Sequence, residues 1–125
     1  DTSLRLRLYR RLASLGDLKQ IQEMESELED RFGPLPEPAR SLMLQLRLKV
    51  LAREAEVRSV LVENGRLVLY TDWLDKADRQ QVQSRLGDLA HAGKRTVSLD
   101  MGEDWQEQLR IVLERLSRGR GLSAD

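Results

Sequence analysis

Residues 30–40 read DRFGPLPEPAR, and this stretch contains all three prolines of the chain. Gly33 is placed where a left-handed residue commonly ends a helix, one position past Phe32. Pro34 cannot continue that helix, because its ring fixes φ and removes the backbone N–H. Pro36 and Pro38 suit a loop and the first turn of a following helix, where the missing N–H costs nothing. The stretch therefore predicts a tight joint between two helices.

Apolar residues recur at helical spacing on both sides of this joint. A second helix should begin after Asp17, which is a favourable N-cap, and a third should run from about Pro38 to Glu54. Apolar residues surround much of the third helix, so we expect it to be buried on several sides. The stripe of the first predicted helix is Leu4, Leu8, Leu12 and Leu15, and that of the second includes Leu18, Ile21, Leu28 and Phe32.

The second half of the chain changes to a strand pattern. Residues 57–62 and 66–70 are mostly apolar, and Asn64-Gly65 lies between them. Asn-Gly between two such runs is the strongest short hairpin signal, because the turn needs a positive φ at both positions. The predicted register places Glu63 opposite Arg66, as a favourable cross-strand charge pair.

Beyond the hairpin, the sequence predicts a helix, a strand and a last helix. Asp75 can cap the helix, which we expect to run to about His91 and to end at Gly93. Residues 95–99 form the predicted third strand, and apolar residues from Trp105 to Leu116 mark the last helix.

The predicted fold class is α+β. Three N-terminal helices are followed by a β-hairpin, a helix, a third strand and a C-terminal helix, so that a small sheet packs on helices. The length of 125 residues suits one domain. We expect a helical part at residues 1–55, a sheet part at 56–117 and a tail at 118–125.

Composition excludes several classes of function. The 21 basic and 21 acidic residues balance, which argues against a strongly cationic nucleic-acid module. The chain has no cysteine, so it forms no disulfide, and this fits a cytoplasmic protein. Its apolar runs are too short for a membrane span. Because it begins without methionine, we interpret it as a piece of a longer protein.

Catalytic and ligand-binding motifs are weak. His91 is the only histidine and has no adjacent nucleophile in the sequence. Asp100, Glu103 and Asp104 cluster before a helix, but they lack the alternating oxygen-ligand spacing of a calcium loop. Residues 93–96, GKRT, lead from helix to strand, whereas a phosphate loop leads from strand to helix. We therefore expect no catalytic residue, cofactor, metal or nucleotide in this chain.

Two charged surfaces are candidates for binding. Glu27, Asp30 and Arg31 are spaced i, i+3 and i+4, so they share one face of the second predicted helix, away from its apolar stripe. That face is either an ordinary solvated surface or a docking surface for a basic partner. The alternative is nucleic-acid binding by a patch of terminal arginines, which are Arg5, Arg7, Arg10, Arg11, Arg115, Arg118 and Arg120.

Two motifs carry a resemblance to a known family. Residues 5–14, RLRLYRRLAS, are similar to an Arg-Leu-x-x-Tyr-x-Arg-x-Ala-Ser opening, and residues 25–40 continue through Asp-Arg-Phe-Gly and the proline joint. In both, the chain resembles the C-terminal module of bacterial transcription-repair coupling factors. The likeness covers most of the chain and weakens in the sheet half.

The resemblance implies a regulatory domain without an active site. Members of that family are ATP-dependent DNA translocases that displace stalled RNA polymerase and recruit the repair protein UvrA. ATP and Mg²⁺ would bind the upstream motor domains. The C-terminal module would clamp onto a UvrB-like module of the same chain and mask its UvrA-binding surface. On matching positions, the resemblance assigns Glu27, Asp30 and Arg31 to that contact.

Overall fold

A computed structural model describes residue 10 and residues 16–119, with side chains as far as residue 117. Residue 10 is helical, and the other residues of the first predicted helix and residues 120–125 of the predicted tail lie outside the described part. The chain divides into two compact units, residues 1–50 and 51–125. The α+β class predicted from the sequence is confirmed, with four strands instead of the three expected.

Two helices form the described part of the first unit. Helix α1 spans Leu18–Phe32, and the Asp17 carboxylate caps its start by accepting from the Gln20 N–H at 2.8 Å. The helix ends at Gly33, whose φ is 78° and whose N–H donates to the Glu29 carbonyl at 2.8 Å. Both caps agree with the predictions from the sequence. Each satisfies backbone groups that the helix itself leaves unpaired.

Helix α2 spans Glu37–Glu54 and begins one residue before the predicted start. The N–H groups of Ala39 and Arg40 both donate to the carbonyl of Pro36, so the proline joint leads directly into the helix. The buried core of this unit joins α1, the joint and α2, and its members are Ile21, Met24, Leu35, Met43 and Val50.

Phe32 corrects the predicted apolar stripe of α1. Its side chain is 72% exposed, whereas Leu18 and Leu28 pack against the core as predicted. The helix ends at Phe32 and the chain reverses at Gly33, so Leu35 enters the core from the joint and Phe32 lies beyond it. Helical spacing indicated the side of the helix correctly, but not the extent of the core along the axis.

A hairpin opens the sheet of the second unit. Strands β1 (Ser59–Glu63) and β2 (Arg66–Tyr70) are joined by Asn64 and Gly65, which have φ values of 52° and 74°. Glu63 pairs with Arg66, so the predicted turn and register are confirmed. The side chains of Glu63 and Arg66 each bond to another partner instead of forming the predicted ion pair. Glu63 accepts from the Tyr70 hydroxyl at 2.9 Å, and Arg66 donates to Asp100 at 2.7 Å.

The segment after the hairpin differs from the single helix predicted between Asp75 and His91. A 3₁₀ helix covers Asp72–Lys76, and helix α3 covers only Arg79–Leu86. Asp78, not Asp75, caps α3, while the Asp75 carboxylate accepts from Arg95 at 3.1 Å. Gly87, with a φ of 59°, ends the helix before the predicted Gly93.

His91 therefore lies in a strand and not near the end of a helix. Strand β3 consists of His91–Ala92, and one side chain from α3 holds it in place. The Gln83 amide donates to the Gly87 and Ala90 carbonyls at 3.0 and 2.9 Å and accepts from the Ala92 N–H at 2.7 Å. These bonds satisfy backbone groups that would otherwise lack a partner in this short loop.

Strand β4 spans Thr96–Asp100 and completes an antiparallel sheet of order β1-β2-β4-β3. Alternate residues of the two central strands are buried, which is the pattern of a sheet with one covered face. Helix α4 spans Trp105–Gly119 and contacts α3. The buried residues of the sheet and these helices are Leu67, Leu69, Ala92, Val97, Leu99, Val82, Leu86, Leu109, Val112, Leu113 and Leu116.

Replacement of Leu69 by alanine should destabilise the second unit. Leu69 is fully buried in a central strand, so the truncation should lower the free energy of unfolding by about 2–5 kcal/mol. Urea unfolding followed by tryptophan fluorescence measures the loss, because Trp73 and Trp105 both belong to this unit. Leu61→Ala is the matched control: it removes the same atoms from an exposed site and should change stability by no more than about 0.5 kcal/mol. Equal losses would contradict the assigned burial.

Candidate functional site

Helix α1 carries charged residues outside its core contacts. Ile21 and Met24 are its buried residues. Asp30 follows Ile21 by nine positions, which is a rotation of about 180° at 3.6 residues per turn. Asp30 and Arg31 are exposed and Glu27 is half-buried. Asp30 therefore faces away from the core, whereas Glu27 and Arg31 lie on the flank of the helix between Asp30 and Met24. We call these three residues the α1 charged face.

An ion pair lies within the α1 charged face. The Arg31 guanidinium is 3.4 Å from the Glu27 carboxylate, as the i, i+4 spacing predicted, and 67% of the Arg31 side chain is exposed. Such a solvated pair contributes only about 0.3–0.5 kcal/mol, so it adds little to the stability of the helix. Asp30 lies in the last turn, where a negative charge is unfavourable beside the helix carbonyls. The face thus presents charges that the fold itself does not need.

A depression of about 660 Å³ extends the α1 charged face towards the start of the helix. Sequence reasoning missed this continuity, although the residues repeat at i, i+3 and i+4 spacing and so share one side. Three carboxylates and two cations occur among its described lining residues, so these groups carry a small net negative charge. They are Lys19, Gln22, Glu23, Ser26, Glu27, Asp30 and Arg31.

The opposite side of α1 is fixed to α2 by a second ion pair. The Arg47 guanidinium donates to the Glu25 carboxylate at 2.8 Å, and both side chains are more than two-thirds buried. Charge-assisted hydrogen bonds of this kind are stronger than surface pairs because water screens them less. This contact helps to keep the core side of α1 inward and the α1 charged face outward.

One member of the arginine patch proposed for nucleic-acid binding is engaged within the fold. The Arg115 guanidinium donates to the Arg85 carbonyl at 3.1 Å, at the C-terminal end of α3. Its charge is therefore used to satisfy terminal helix carbonyls. Arg10 is exposed. The other members of the predicted patch, Arg5, Arg7, Arg11, Arg120 and the Arg118 side chain, lie outside the described part.

Other candidate chemistry lies on the sheet. His91 pairs with Ser98 across β3 and β4, and the Ser98 hydroxyl accepts from Arg66 at 3.2 Å. The residues that the structure describes contain no group of three or more His, Asp or Glu arranged to hold a metal ion. Within the same residues, none of the helices has the length and apolar character of a membrane span.

Two hydrogen-bonded pairs of the second unit shift the pKa of one of their members. The Glu63 carboxylate, by accepting from the Tyr70 hydroxyl, raises the pKa of that phenol. The Arg110 guanidinium, by donating to Glu107, lowers the pKa of that carboxyl. Both hydrogen-bonded pairs are solvent-exposed. They therefore differ from the groups in enclosed clefts whose pKa values are shifted for catalysis.

Comparison with known families agrees with the motif around the joint. The model of the TRCF domain family matches residues 1–82, which include α1, the joint, α2 and the hairpin. The match covers well over half of the 125 residues. The chain belongs to the TRCF domain family. All three residues of the α1 charged face lie inside the matched range.

The curated relatives that match this chain are named transcription-repair-coupling factors. The chain is 40% identical over 60 residues to the transcription-repair-coupling factor of Escherichia coli, a match that covers 48% of this chain and 5% of that protein. It is 40% identical over 65 residues to that of Mycobacterium bovis, covering 52% and 5%. It is 30% identical over 80 residues to the factor of Rickettsia bellii, a match that covers 63% of this chain and 7% of that protein. The TRCF chain thus spans a small fraction of the length of these relatives.

Charge substitution on the α1 charged face should leave the fold intact. Asp30→Asn should change the free energy of unfolding by no more than about 0.5 kcal/mol, with a slight gain because it removes a negative charge beside the terminal carbonyls. Arg47→Gln is the comparison variant, and it should cost about 1–3 kcal/mol because Glu25 stays partly buried without its cation. Urea unfolding followed by far-UV circular dichroism measures both. A loss at Asp30 as large as that at Arg47 would indicate a structural role for Asp30.

Proposed function

We propose that this TRCF domain is the C-terminal regulatory module of a transcription-repair coupling factor, and that its α1 charged face binds the UvrB-like module of the same polypeptide. In the bound state the face would mask the surface through which the UvrB-like module recruits UvrA. The observation that carries the proposal is the exposure of Asp30 and Arg31 beside the half-buried Glu27, with Asp30 opposite the buried side of α1. Family membership supports the same assignment.

The charges of the face suggest the chemistry of the partner surface. Glu23, Glu27 and Asp30 line the depression along α1, and Asp30 lies beside the terminal carbonyls of the helix. A basic partner surface would relieve the unfavourable position of Asp30 while engaging the neighbouring carboxylates. Arg31 could then pair with an acidic group of the partner, which would fix the register of docking.

Competition within one polypeptide requires only modest contacts. A tethered domain acts at an effective concentration in the millimolar range when its linker is short and flexible, so a weak interface can still keep a site covered. Opening is then a population shift between masked and unmasked states. A polar surface such as the α1 charged face suits this role, because exposed charges remain hydrated when the contact is broken.

The proposed domain has no enzymatic activity of its own. Its parent would be an ATP-dependent DNA translocase of the cytoplasm, with ATP and Mg²⁺ bound by the upstream motor. Contacts with RNA polymerase and duplex DNA would also belong to the upstream modules. The binding partner of this domain would be a protein surface, not a small molecule or a membrane.

A charge exchange in the full-length parent tests the proposal. Asp30→Arg combined with Arg31→Asp should weaken the masking contact and raise the affinity for UvrA at least about fivefold, the lower range of allosteric coupling. Titration of labelled UvrA measures the change. The matched control is Glu37→Arg with Arg40→Glu, which exchanges another exposed charge pair of the same unit.

Direct binding of the isolated TRCF domain to the separately expressed UvrB-like module gives the second measurement. The unmodified domain and the Glu37/Arg40 control should bind, and the Asp30/Arg31 variant should bind more weakly. Unchanged UvrA affinity in a folded Asp30/Arg31 variant would refute the assignment of this face. Appreciable affinity of the domain for duplex DNA, falling steeply with salt, would instead favour nucleic-acid binding.

A further inference from the structure

The two edges of the sheet differ in length and protection. One edge is β3, which has two residues, and the other is β1, which has five. Very short edge strands and charged edge residues are common means of preventing unwanted strand pairing. The β1 edge has five residues, of which 59–62 are Ser-Val-Leu-Val, so its one charged residue is Glu63 at the end of the strand.

The geometry of the turn indicates which backbone groups of β1 face outward. Positive φ values at Asn64 and Gly65 identify a two-residue hairpin of the I′ kind, whose flanking residues Glu63 and Arg66 are hydrogen-bonded to each other. Hydrogen-bonded and non-bonded pairs alternate along an antiparallel ladder. Leu61 therefore bonds to β2, while the N–H and C=O groups of Val60 and Val62 point away from it.

Apolar side chains accompany these outward backbone groups. Leu61 is 48% exposed and Val62 is 60% exposed, and they are two of the four large hydrophobic residues that are exposed in the described part of the chain. Because successive side chains of a strand alternate, one lies on each face of the sheet. An added strand could thus bury apolar surface on both faces and also satisfy the backbone groups.

We propose that the β1 edge pairs antiparallel with β1 of a second copy of this chain, centred on Leu61. In this register Leu61 faces Leu61 of the second copy, and Val60 faces Val62 of the second copy. Four backbone hydrogen bonds form, two at each Val60–Val62 pair, because these are the residues whose groups point outward. Ser59 faces Glu63 of the second copy, so its hydroxyl can donate to the carboxylate.

A polar contact at each end of the strand favours this register. The Arg58 guanidinium lies 5.2 Å from the centroid of the Tyr70 ring and donates to the Asp72 carboxylate at 2.9 Å, and Tyr70 pairs with Ser59. Glu63 of the second copy would therefore arrive next to Ser59 and beside this balanced ion pair, where the Ser59 hydroxyl is the donor for its carboxylate. The two-fold symmetry repeats this arrangement at the other end of β1, and no like charges face each other within the paired strands.

The size of the contact predicts a weak dimer. Five residues from each copy bury less than the roughly 1,200 Å² of total surface that stable complexes require. Association should therefore depend strongly on concentration and be populated only in concentrated samples. The surface belongs to the second unit and shares no residue with the α1 charged face, so its test is independent of the proposed function.

Sedimentation equilibrium of the isolated chain, up to the concentration of about 1 mM that such a small interface requires, tests the proposal. The unmodified chain should self-associate. Leu61→Lys should abolish association, because it places two like charges directly opposite each other, and Leu61→Glu should do the same. An equimolar mixture of the two variants should associate again, because each lysine then faces a glutamate.

A second pair of variants tests the backbone contact. Val62→Pro removes an outward N–H and should weaken association, and Val62→Ala is the control that retains this donor. Circular dichroism verifies that each variant is folded. Three results would overturn the proposal: a monomeric unmodified chain at the highest concentration, association that Leu61→Lys leaves unchanged, or no recovery in the mixture. A monomeric chain would leave the β1 edge for a strand from another protein.

Discussion

The backbone reversal at Gly33 determines what the first unit can present to a partner. A φ of 78° lets the chain leave α1 abruptly, and the Gly33 N–H closes the helix on the Glu29 carbonyl. Leu35 can then enter the core between α1 and α2. Once that packing is established, Ile21 and Met24 must face inward, and Asp30, on the opposite side of α1, must face solvent. The proposed binding surface is thus a consequence of how one helix ends.

Local signals in the sequence predicted the parts of the fold that depend on local chemistry. The Asp17 cap, the Gly33 termination and the Asn64-Gly65 turn each follow from backbone geometry that few residues accept, and all three are present. The α3 region was predicted incorrectly, because Asp75 and Asp78 are equally suitable caps in the sequence. The Asp75–Arg95 pair and the break at Gly87 decide between them only in the folded chain.

The candidate site shows the same division between local and non-local information. Helical spacing was sufficient to place Glu27, Asp30 and Arg31 on one side of α1 and to predict the Glu27–Arg31 pair. It could not show that Phe32 lies beyond the core or that Arg115 is engaged by the end of α3, because both depend on contacts between distant segments. The depression along α1 also required the folded structure.

The Gln83 side chain has a consequence for the manner in which copies of this chain can assemble. It bonds to the Ala90 carbonyl and the Ala92 N–H around the short strand β3, and that strand pairs with Val97 and Ser98 of β4. A sheet with one open edge can only form closed pairs, whereas a sheet with two open edges can extend without limit into fibres. By holding β3 in place, the Gln83 amide limits this edge of the sheet to a two-residue strand, which disfavours extension from this side.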